Sequence, residues 1–150
     1  MTHLLAVFER SPQLVSRLTA RLQPEDTPED VIEKARAILD SFDERDLIAT
    51  LNAHPRIGAD TRALSELSAR EQGTDADPRV ADELMRLNKR YEDAFGFRFV
   101  VFVNGRSRAQ ILPVFRERIT RSRDAELRTG VEEFLAISLD RLRKLRATAR

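Results

Sequence analysis

The chain of 150 residues contains no cysteine. This absence excludes disulfide bonds, thiolate nucleophiles and zinc sites built on cysteine. Long apolar runs are also missing, and none approaches the roughly 20 residues that a helix needs to cross a membrane. The first residues, Met1-Thr2-His3-Leu4, lack the basic and apolar regions of a signal peptide. We therefore expect a cytoplasmic protein that does not enter a membrane.

An excess of charge of one sign is absent too. The 26 basic and 25 acidic residues leave a net charge of +1, whereas nucleic-acid-binding proteins usually concentrate basic charge. No nucleic-acid partner is therefore expected. The sequence also has no phosphate-binding glycine loop, no dinucleotide fingerprint and no histidine pair at metal-ligand spacing, and no Gly-x-Ser-x-Gly elbow. An enzyme built on this chain would rely on the acid–base chemistry of histidine and carboxylates, without a metal.

The pattern that is present is helical. Apolar residues recur at spacings of three and four, and polar capping residues, often followed by proline, precede the apolar runs. This pattern predicts a single all-α domain over residues 1–150, a bundle of about seven or eight helices. Pro113 falls inside one predicted helix, so we expect a kink or a late start there. The predicted helix starts are Ser11-Pro12, Thr27-Pro28, Asp43, Ser65, Asp77-Pro78, Ser107 and Asp124.

One short segment, Phe97 to Val103, is apolar and β-like. No second convincing strand exists to pair with it, so we interpret it as a buried extended connector or a short strand. A cluster of phenylalanines such as this one belongs more often to a hydrophobic core than to a ligand pocket. The backbone amides of the segment nevertheless need hydrogen-bond partners, and a planar ligand with amide edges could supply them.

His54 is the residue on which a chemical function is most easily built. The chain has two histidines, and the other, His3, lies near the N-terminus. Pro55 disfavours helical backbone at His54 and Gly58 opens a turn, so the imidazole should sit at the end of a helix. Its ordinary pKa of about 6.5 suits it to move protons near neutral pH. The local pattern leaves open a histidine that only ends a helix.

Other polar residues have two interpretations each. Ser68 and Glu71 have the spacing of a capping box, although Glu71 and Gln72 could instead bind a polar ligand. For Asn88 we expect a solvated or helix-capping side chain. For Tyr91, one turn later, we expect a position in the core. On the last predicted helix, ion pairing is the simpler interpretation of three charged residues, Glu126, Glu133 and Arg141.

Taken together, these segments resemble the OHCU decarboxylase family, whose members convert 2-oxo-4-hydroxy-4-carboxy-5-ureidoimidazoline (OHCU) to (S)-allantoin, the last step from urate in purine breakdown. The similarity runs in order across nearly the whole chain. Its motifs are Phe8-Glu9-Arg10-Ser11-Pro12, His54-Pro55-Arg56-Ile57-Gly58, Ser68-Ala69-Arg70-Glu71-Gln72, Asn88 with Tyr91, Phe95-Gly96-Phe97-Arg98-Phe99, Asn104-Gly105-Arg106, Arg118, Glu126, Glu133, Ile137 and Arg141-Leu142.

The resemblance implies an all-helical, cofactor-free enzyme, usually a homodimer. It implies His54 as the catalytic proton donor and Glu71 as a carboxylate that orients the substrate. The remaining substrate contacts that it implies are Pro55, Ser68, Gln72 and the backbone of Phe99, Val100, Val101, Phe102 and Val103.

Two alternatives remain open from the sequence. The chain could be a helical interaction module without catalysis, in which case His54 and Glu71 would not converge on one cavity. It could also decarboxylate a related ureide, because the loop after Gln72, from Gly73 to Asp77, is short.

Overall fold

The computed structural model of the protein describes residues 2–58 and 77–148, and within these ranges all regular structure is helical. The all-α prediction is thereby confirmed. The predicted helix from Ser65 to Gln72 lies outside the described residues. The described helices are α1 (Thr2–Val7), α2 (Pro12–Thr19), α3 (Pro28–Asp40), α4 (Glu44–Asn52), α5 (Pro78–Phe95), α6 (Arg108–Arg118) and α7 (Arg123–Thr148).

Side chains just before the helices explain where several of them begin. Thr27 Oγ1 accepts a hydrogen bond from the Asp30 amide at 3.1 Å, and Asp30 Oδ2 accepts one from the Thr27 amide at 3.0 Å. Ser107 and Gln110 form the same reciprocal box at the start of α6. Such caps satisfy amides that the first helical turn leaves unpaired, and each contributes about 1 kcal/mol. These local bonds fix the starts that the sequence predicts.

The helix bounds bear on two expectations about local structure. Helix α6 begins at Arg108 and contains Pro113 in its interior, so of the kink and the late start expected at Pro113 the late start is excluded. Ser11 occupies the N-cap position of α2, with Pro12 at the first turn, but its side chain makes no capping hydrogen bond. Proline has no N–H, so α6 tolerates the loss of one intrahelical bond at Pro113.

The long helix α7 organises the packing. It contacts α1, α3, α4 and α5, while α2 packs on α3 and α6 on α5. The fully buried side chains include six aromatic ones, and these are Tyr91, Phe8, Phe97, Phe99, Phe115 and Phe134. None of the helices within the described ranges is long and apolar enough to cross a membrane.

The apolar segment between α5 and α6 is a buried connector. Residues 98–103 form neither helix nor strand, which decides between the two interpretations of the sequence. Phe99 stacks on Phe115 with ring centroids 3.8 Å apart, and Tyr91 packs edge-on against both rings. The connector is thus anchored in an aromatic core between α5 and α6.

Candidate active site

His54 lies two residues after the last residue of α4, at the helix end where the sequence predicts it. Asn52 is the last residue of the helix, and the His54 amide still donates to the Leu51 carbonyl at 3.1 Å. Pro55 then prevents a further helical turn. The His54 residue is only 5% exposed, so the helix end turns its imidazole inward.

The connector holds the backbone around His54. The Arg98 amide donates to Asn52 Oδ1 at 2.9 Å. The Arg98 guanidinium donates to the Asn52 carbonyl at 2.8 Å and to the His54 carbonyl at 3.2 Å. Arg98 therefore satisfies two of the carbonyls at the end of α4 and fixes the backbone from which the His54 imidazole projects.

Helix α5 holds the other side of the same turn. The buried Asn88 side chain donates through Nδ2 to the Ile57 carbonyl at 2.9 Å, so the expectation of a solvated or capping Asn88 is wrong. Arg56 makes a two-pronged ion pair with Glu92, at 2.7 and 2.9 Å. Gly58 has a φ of +83°, and a Cβ there would lie 3.1 Å from Leu84 Cδ1. The turn after His54 is thus packed closely on α5.

The imidazole of His54 sits in an apolar setting. Its ring meets the Phe134 ring of α7 edge-on, with centroids 5.0 Å apart. Neither ring nitrogen has a hydrogen-bond partner among the described residues. Burial lowers the pKa of His54 to about 4, while the nearby charge of Glu9 raises it and that of Arg141 lowers it. The imidazole is therefore neutral near pH 7.

Only some backbone groups of the connector residues predicted to contact substrate form hydrogen bonds within the described ranges. The Val100 carbonyl accepts from Arg118 at 2.7 Å. The carbonyls of Phe102 and Val103 accept from Arg106 at 2.6 and 3.0 Å. The backbone of Val101 makes no hydrogen bond within the described ranges, although the residue is buried. The backbone of Phe99, which is also buried, likewise makes no hydrogen bond within these ranges.

Glu133 and Arg106, both half-buried, form hydrogen bonds to the connector. Glu133 Oε1 accepts from the Phe102 amide at 3.3 Å. This contact differs from the ion pairing that the sequence suggested for Glu133. Arg106 bonds two consecutive carbonyls, which restricts the end of the connector before α6 begins.

A buried polar network lies behind the connector. Glu126 is fully buried and accepts from the Tyr91 hydroxyl at 2.7 Å, from Arg118 at 2.9 Å and from Arg121 at 3.1 Å. Its ion pairing, and the core position of Tyr91, match the sequence predictions. The Arg118 guanidinium also lies over the Phe99 ring, 4.3 Å from its centroid. This network ties α5, α6 and α7 to the connector.

A second buried ion pair joins the two ends of the chain. Arg141 of α7 and Glu9, between α1 and α2, lie 2.7 Å apart, and their side chains are 1% and 5% exposed. Ion pairing of Arg141 was predicted, but its partner was not. No local signal reveals Glu9, because a single glutamate in a polar turn is usually solvated.

Three predicted site residues, Ser68, Glu71 and Gln72, lie outside the described residues. Pro55 is partly buried beside His54. A cavity of about 530 Å³ lies on the outer side of the turn, between Arg56–Gly58 and α5, and His54 does not line it. In the part of the chain that the structure describes, no three histidine or acidic side chains converge as a metal site.

Comparison with known proteins connects this site to a family. A model of the OHCU decarboxylase family matches residues 1–143. The chain belongs to the OHCU decarboxylase family. It is 29% identical over 141 residues to the 2-oxo-4-hydroxy-4-carboxy-5-ureidoimidazoline decarboxylase of Haloferax volcanii, covering 91% of this chain and 82% of that protein.

Longer relatives carry the same region. The chain is 28% identical over 141 residues to the uric acid degradation bifunctional protein PucL of Bacillus subtilis, covering 91% of this chain and 28% of that protein. It likewise spans 29% of a bifunctional uric acid degradation protein from a Bacillus species. The chain therefore spans less than a third of these two relatives.

A solved structure shares the fold. The crystal structure of an OHCU decarboxylase in the presence of (S)-allantoin superposes with a TM-score of 0.76 at 24% identity, covering 94% of each chain. At this identity the match supports the helical architecture of the family rather than the role of any residue.

Proposed function

We propose that this chain decarboxylates OHCU to (S)-allantoin without a cofactor, and that His54 is its catalytic acid–base residue. Family membership over residues 1–143 supports the reaction. The observation that carries the assignment of His54 is its burial with two unpartnered ring nitrogens among the described residues. Buried polar atoms are normally satisfied, and exceptions concentrate where function requires them.

The substrate itself supplies the electron sink. Its carboxylate lies β to a ring C=N bond, so the electrons of the breaking C–C bond move towards that nitrogen as CO2 leaves. The nitrogen takes up a proton, and an enol-like ring remains. The enol hydroxyl then loses its proton as the carbonyl of allantoin forms, and the ureido-bearing carbon gains one. The overall reaction consumes one proton from solvent and needs no external electron acceptor.

His54 is suited to the two proton movements at the ring. Burial keeps the imidazole neutral near pH 7, so its free lone pair can accept the proton of the ring hydroxyl. The resulting imidazolium returns a proton to the ureido-bearing carbon from one face, which makes the product (S). Positioned acid–base groups of this kind contribute typically about 100- to 10,000-fold to a rate. His54 thus acts first as a base and then as the proton donor.

The resemblance supplies the remaining contacts of the proposal. Glu71 would accept hydrogen bonds from ureido or ring N–H groups, with Gln72 and Ser68 assisting and Pro55 in contact. The connector from Phe99 to Val103 would bind the amide edge of the ring. That part of the proposal is supported by the buried backbones of Phe99 and Val101, which make no hydrogen bond within the described ranges.

The test follows the optical activity of the product. OHCU is generated in situ from urate by the two preceding reactions, and the circular dichroism of (S)-allantoin is recorded with and without this protein. We expect formation of (S)-allantoin well above the spontaneous rate. The variant His54→Gln should retain less than about a tenth of that rate, in line with loss of positioned acid–base catalysis. His3→Gln replaces the exposed second histidine and is the matched control.

The outcomes separate the alternatives. No acceleration by a folded protein would favour a module without catalysis. Acceleration with another ureide but not with OHCU would indicate an altered substrate. A rate in His54→Gln close to that of the wild type would remove His54 from the mechanism and leave the reaction itself in place. Glu71→Gln tests the second residue, and an unchanged rate there would reduce Glu71 to a helix cap.

Two further properties remain predictions. A homodimer is expected from the resemblance, and light scattering of the purified chain would measure its mass in solution. A cytoplasmic location is expected from the sequence, and fractionation of the source cells would test it.

A further inference from the structure

The turn between α1 and α2 has an unfavourable backbone. Glu9 and Arg10 have φ values of +47° and +57°, in the left-handed region that costs a non-glycine residue about 1–2 kcal/mol. Such strain persists only where surrounding contacts determine the conformation, and it concentrates at functional sites. The conformation turns the Glu9 side chain into the interior, where the residue is 5% exposed.

Helix α7 provides the contacts that hold this turn. Arg141 Nη1 donates to Glu9 Oε2 at 2.7 Å and to the Ala6 carbonyl at 2.9 Å. Ser138, one turn earlier on α7, donates through Oγ to the Val7 carbonyl at 3.1 Å. The carboxylate and the guanidinium are therefore fixed against each other rather than free to rotate.

The same elements approach the imidazole. Phe8, the neighbour of Glu9, stacks on Phe134 with centroids 6.2 Å apart, and Phe134 meets the ring of His54. Both charges of the pair act on His54, with opposite signs. Other charged groups at this end of α4 within the described ranges are Arg98, which bonds the His54 carbonyl, Arg56, which pairs with Glu92, and Arg10, which lies near Thr50 and Ala53.

The charges of the pair have consequences because they are buried. In a region of low dielectric constant, a guanidinium near a neutral imidazole strongly disfavours a second positive charge. Glu9 offsets that repulsion without touching the imidazole. Proton transfer through His54 requires a transient imidazolium, so Glu9 favours the charged state that the reaction must pass through.

We propose that Glu9 is a positioning residue of the active site, whose buried carboxylate neutralises Arg141 so that His54 can take up a proton during the reaction. The catalytic consequence rests on the proposed function. The electrostatic part does not, because it concerns the protonation of His54 in the absence of substrate.

The test is an NMR titration of the histidine rings in isotopically labelled protein. The spectrum contains two histidines, and His54→Gln assigns them. We expect the acid dissociation constant of the His54 imidazolium to rise about three- to tenfold in Glu9→Gln and to fall by a similar factor in Arg141→Gln. Glu9→Asp keeps the charge and should stay close to wild type.

Controls separate electrostatics from damage to the fold. The exposed pair Glu29–Arg143 also connects to α7, so Glu29→Gln removes an equal charge and should leave the His54 titration unchanged. The double variant Glu9→Gln/Arg141→Gln removes both charges and should titrate near wild type. If Glu9→Gln does not fold, the sign of the effect is tested with the other variants. The acid dissociation constant of His54 should then be lower in Arg141→Gln than in Glu9→Asp and in the double variant.

The proposal is overturned if the two single variants leave the His54 titration unchanged or move it in the same direction, since a merely structural pair would do so. In the decarboxylation assay, Glu9→Gln should lower kcat about three- to tenfold with little change in KM, as expected of a residue that acts through the protonation of His54. An inactive wild type would refute the proposed function and leave the titration result standing. A normal titration shift without a kcat effect would refute the catalytic role of Glu9 alone.

Discussion

Substitution of Gly58 by alanine tests whether close packing on α5 holds the His54 turn. Two costs combine at this position. The left-handed φ of +83° costs an alanine about 1–2 kcal/mol. The new Cβ would also lie 3.1 Å from Leu84 Cδ1 and 3.2 Å from Leu84 Cβ. Crowding of this kind costs about 1–3 kcal/mol, so the total destabilisation should be about 2–5 kcal/mol.

Two other glycines separate these costs. Gly96 ends α5 with a φ of +81° and has open space where a Cβ would be placed, so Gly96→Ala should cost about 1–2 kcal/mol from backbone strain alone. Gly130 is helical, and its Cβ would lie 3.1 Å from Leu51 Cδ1. For Gly130→Ala the gain in helix propensity of about 1 kcal/mol offsets part of the crowding, leaving a loss of about 0–2 kcal/mol.

Urea unfolding followed by circular dichroism measures all three variants. The free energy of unfolding of Gly58→Ala should fall below that of Gly96→Ala by about 1–3 kcal/mol. Because Leu84 Cβ is fixed to α5, relief must come from the turn itself, so Gly58→Ala should also lose more decarboxylase activity than Gly96→Ala. A difference in stability below about 0.5 kcal/mol, the usual limit of additivity, would refute the packing argument.

Three further perturbations probe the same region. Tyr91→Phe removes the hydroxyl that donates to buried Glu126 at 2.7 Å. Thermal unfolding should show a loss of stability of about 1.5–3 kcal/mol; a variant as stable as the wild type would mean that the two arginines are sufficient to satisfy the Glu126 carboxylate. Because unfolded His54 binds a proton below about pH 6.5 and the folded residue only below about pH 4, stability should fall as the pH drops from 6.5 to 4, by about 3 kcal/mol that His54→Gln does not lose; parallel pH profiles would contradict the desolvated imidazole. Arg98→Met frees the carbonyls of Asn52 and His54 and should reduce kcat more than Arg56→Met, which breaks only the partly exposed pair with Glu92; equal activities would show that the connector does not position His54.

Local chemistry accounts for the part of the fold that the sequence predicts. Thr27, Asp43, Asp77 and Ser107 each cap a helix through a bond to a backbone amide two or three residues away. Bonds over so short a distance depend on little besides the adjacent residues. The same locality places His54 at the end of α4, since Pro55 acts on the residue directly before it.

The polar contacts of the site could not be predicted in this way. Asn88 and Ile57 are 31 residues apart, and Arg141 and Glu9 are 132 residues apart. A charged or amide side chain is equally compatible with a solvated surface, and that interpretation is the commoner one. At Asn88 the sequence does not reveal that the side chain is buried, and for that reason the expected solvated role was wrong.

The sequence by itself determined an all-helical chain, the starts of its helices and a histidine at the end of one of them, because helix periodicity and capping act over a few residues. The tertiary structure decided that this histidine is buried and neutral, that Arg98 and Asn88 hold its turn, and that Glu9 and Arg141 meet near its ring. These properties arise from desolvation and from charges brought together across the chain. They exist only once α4, α5 and α7 have packed.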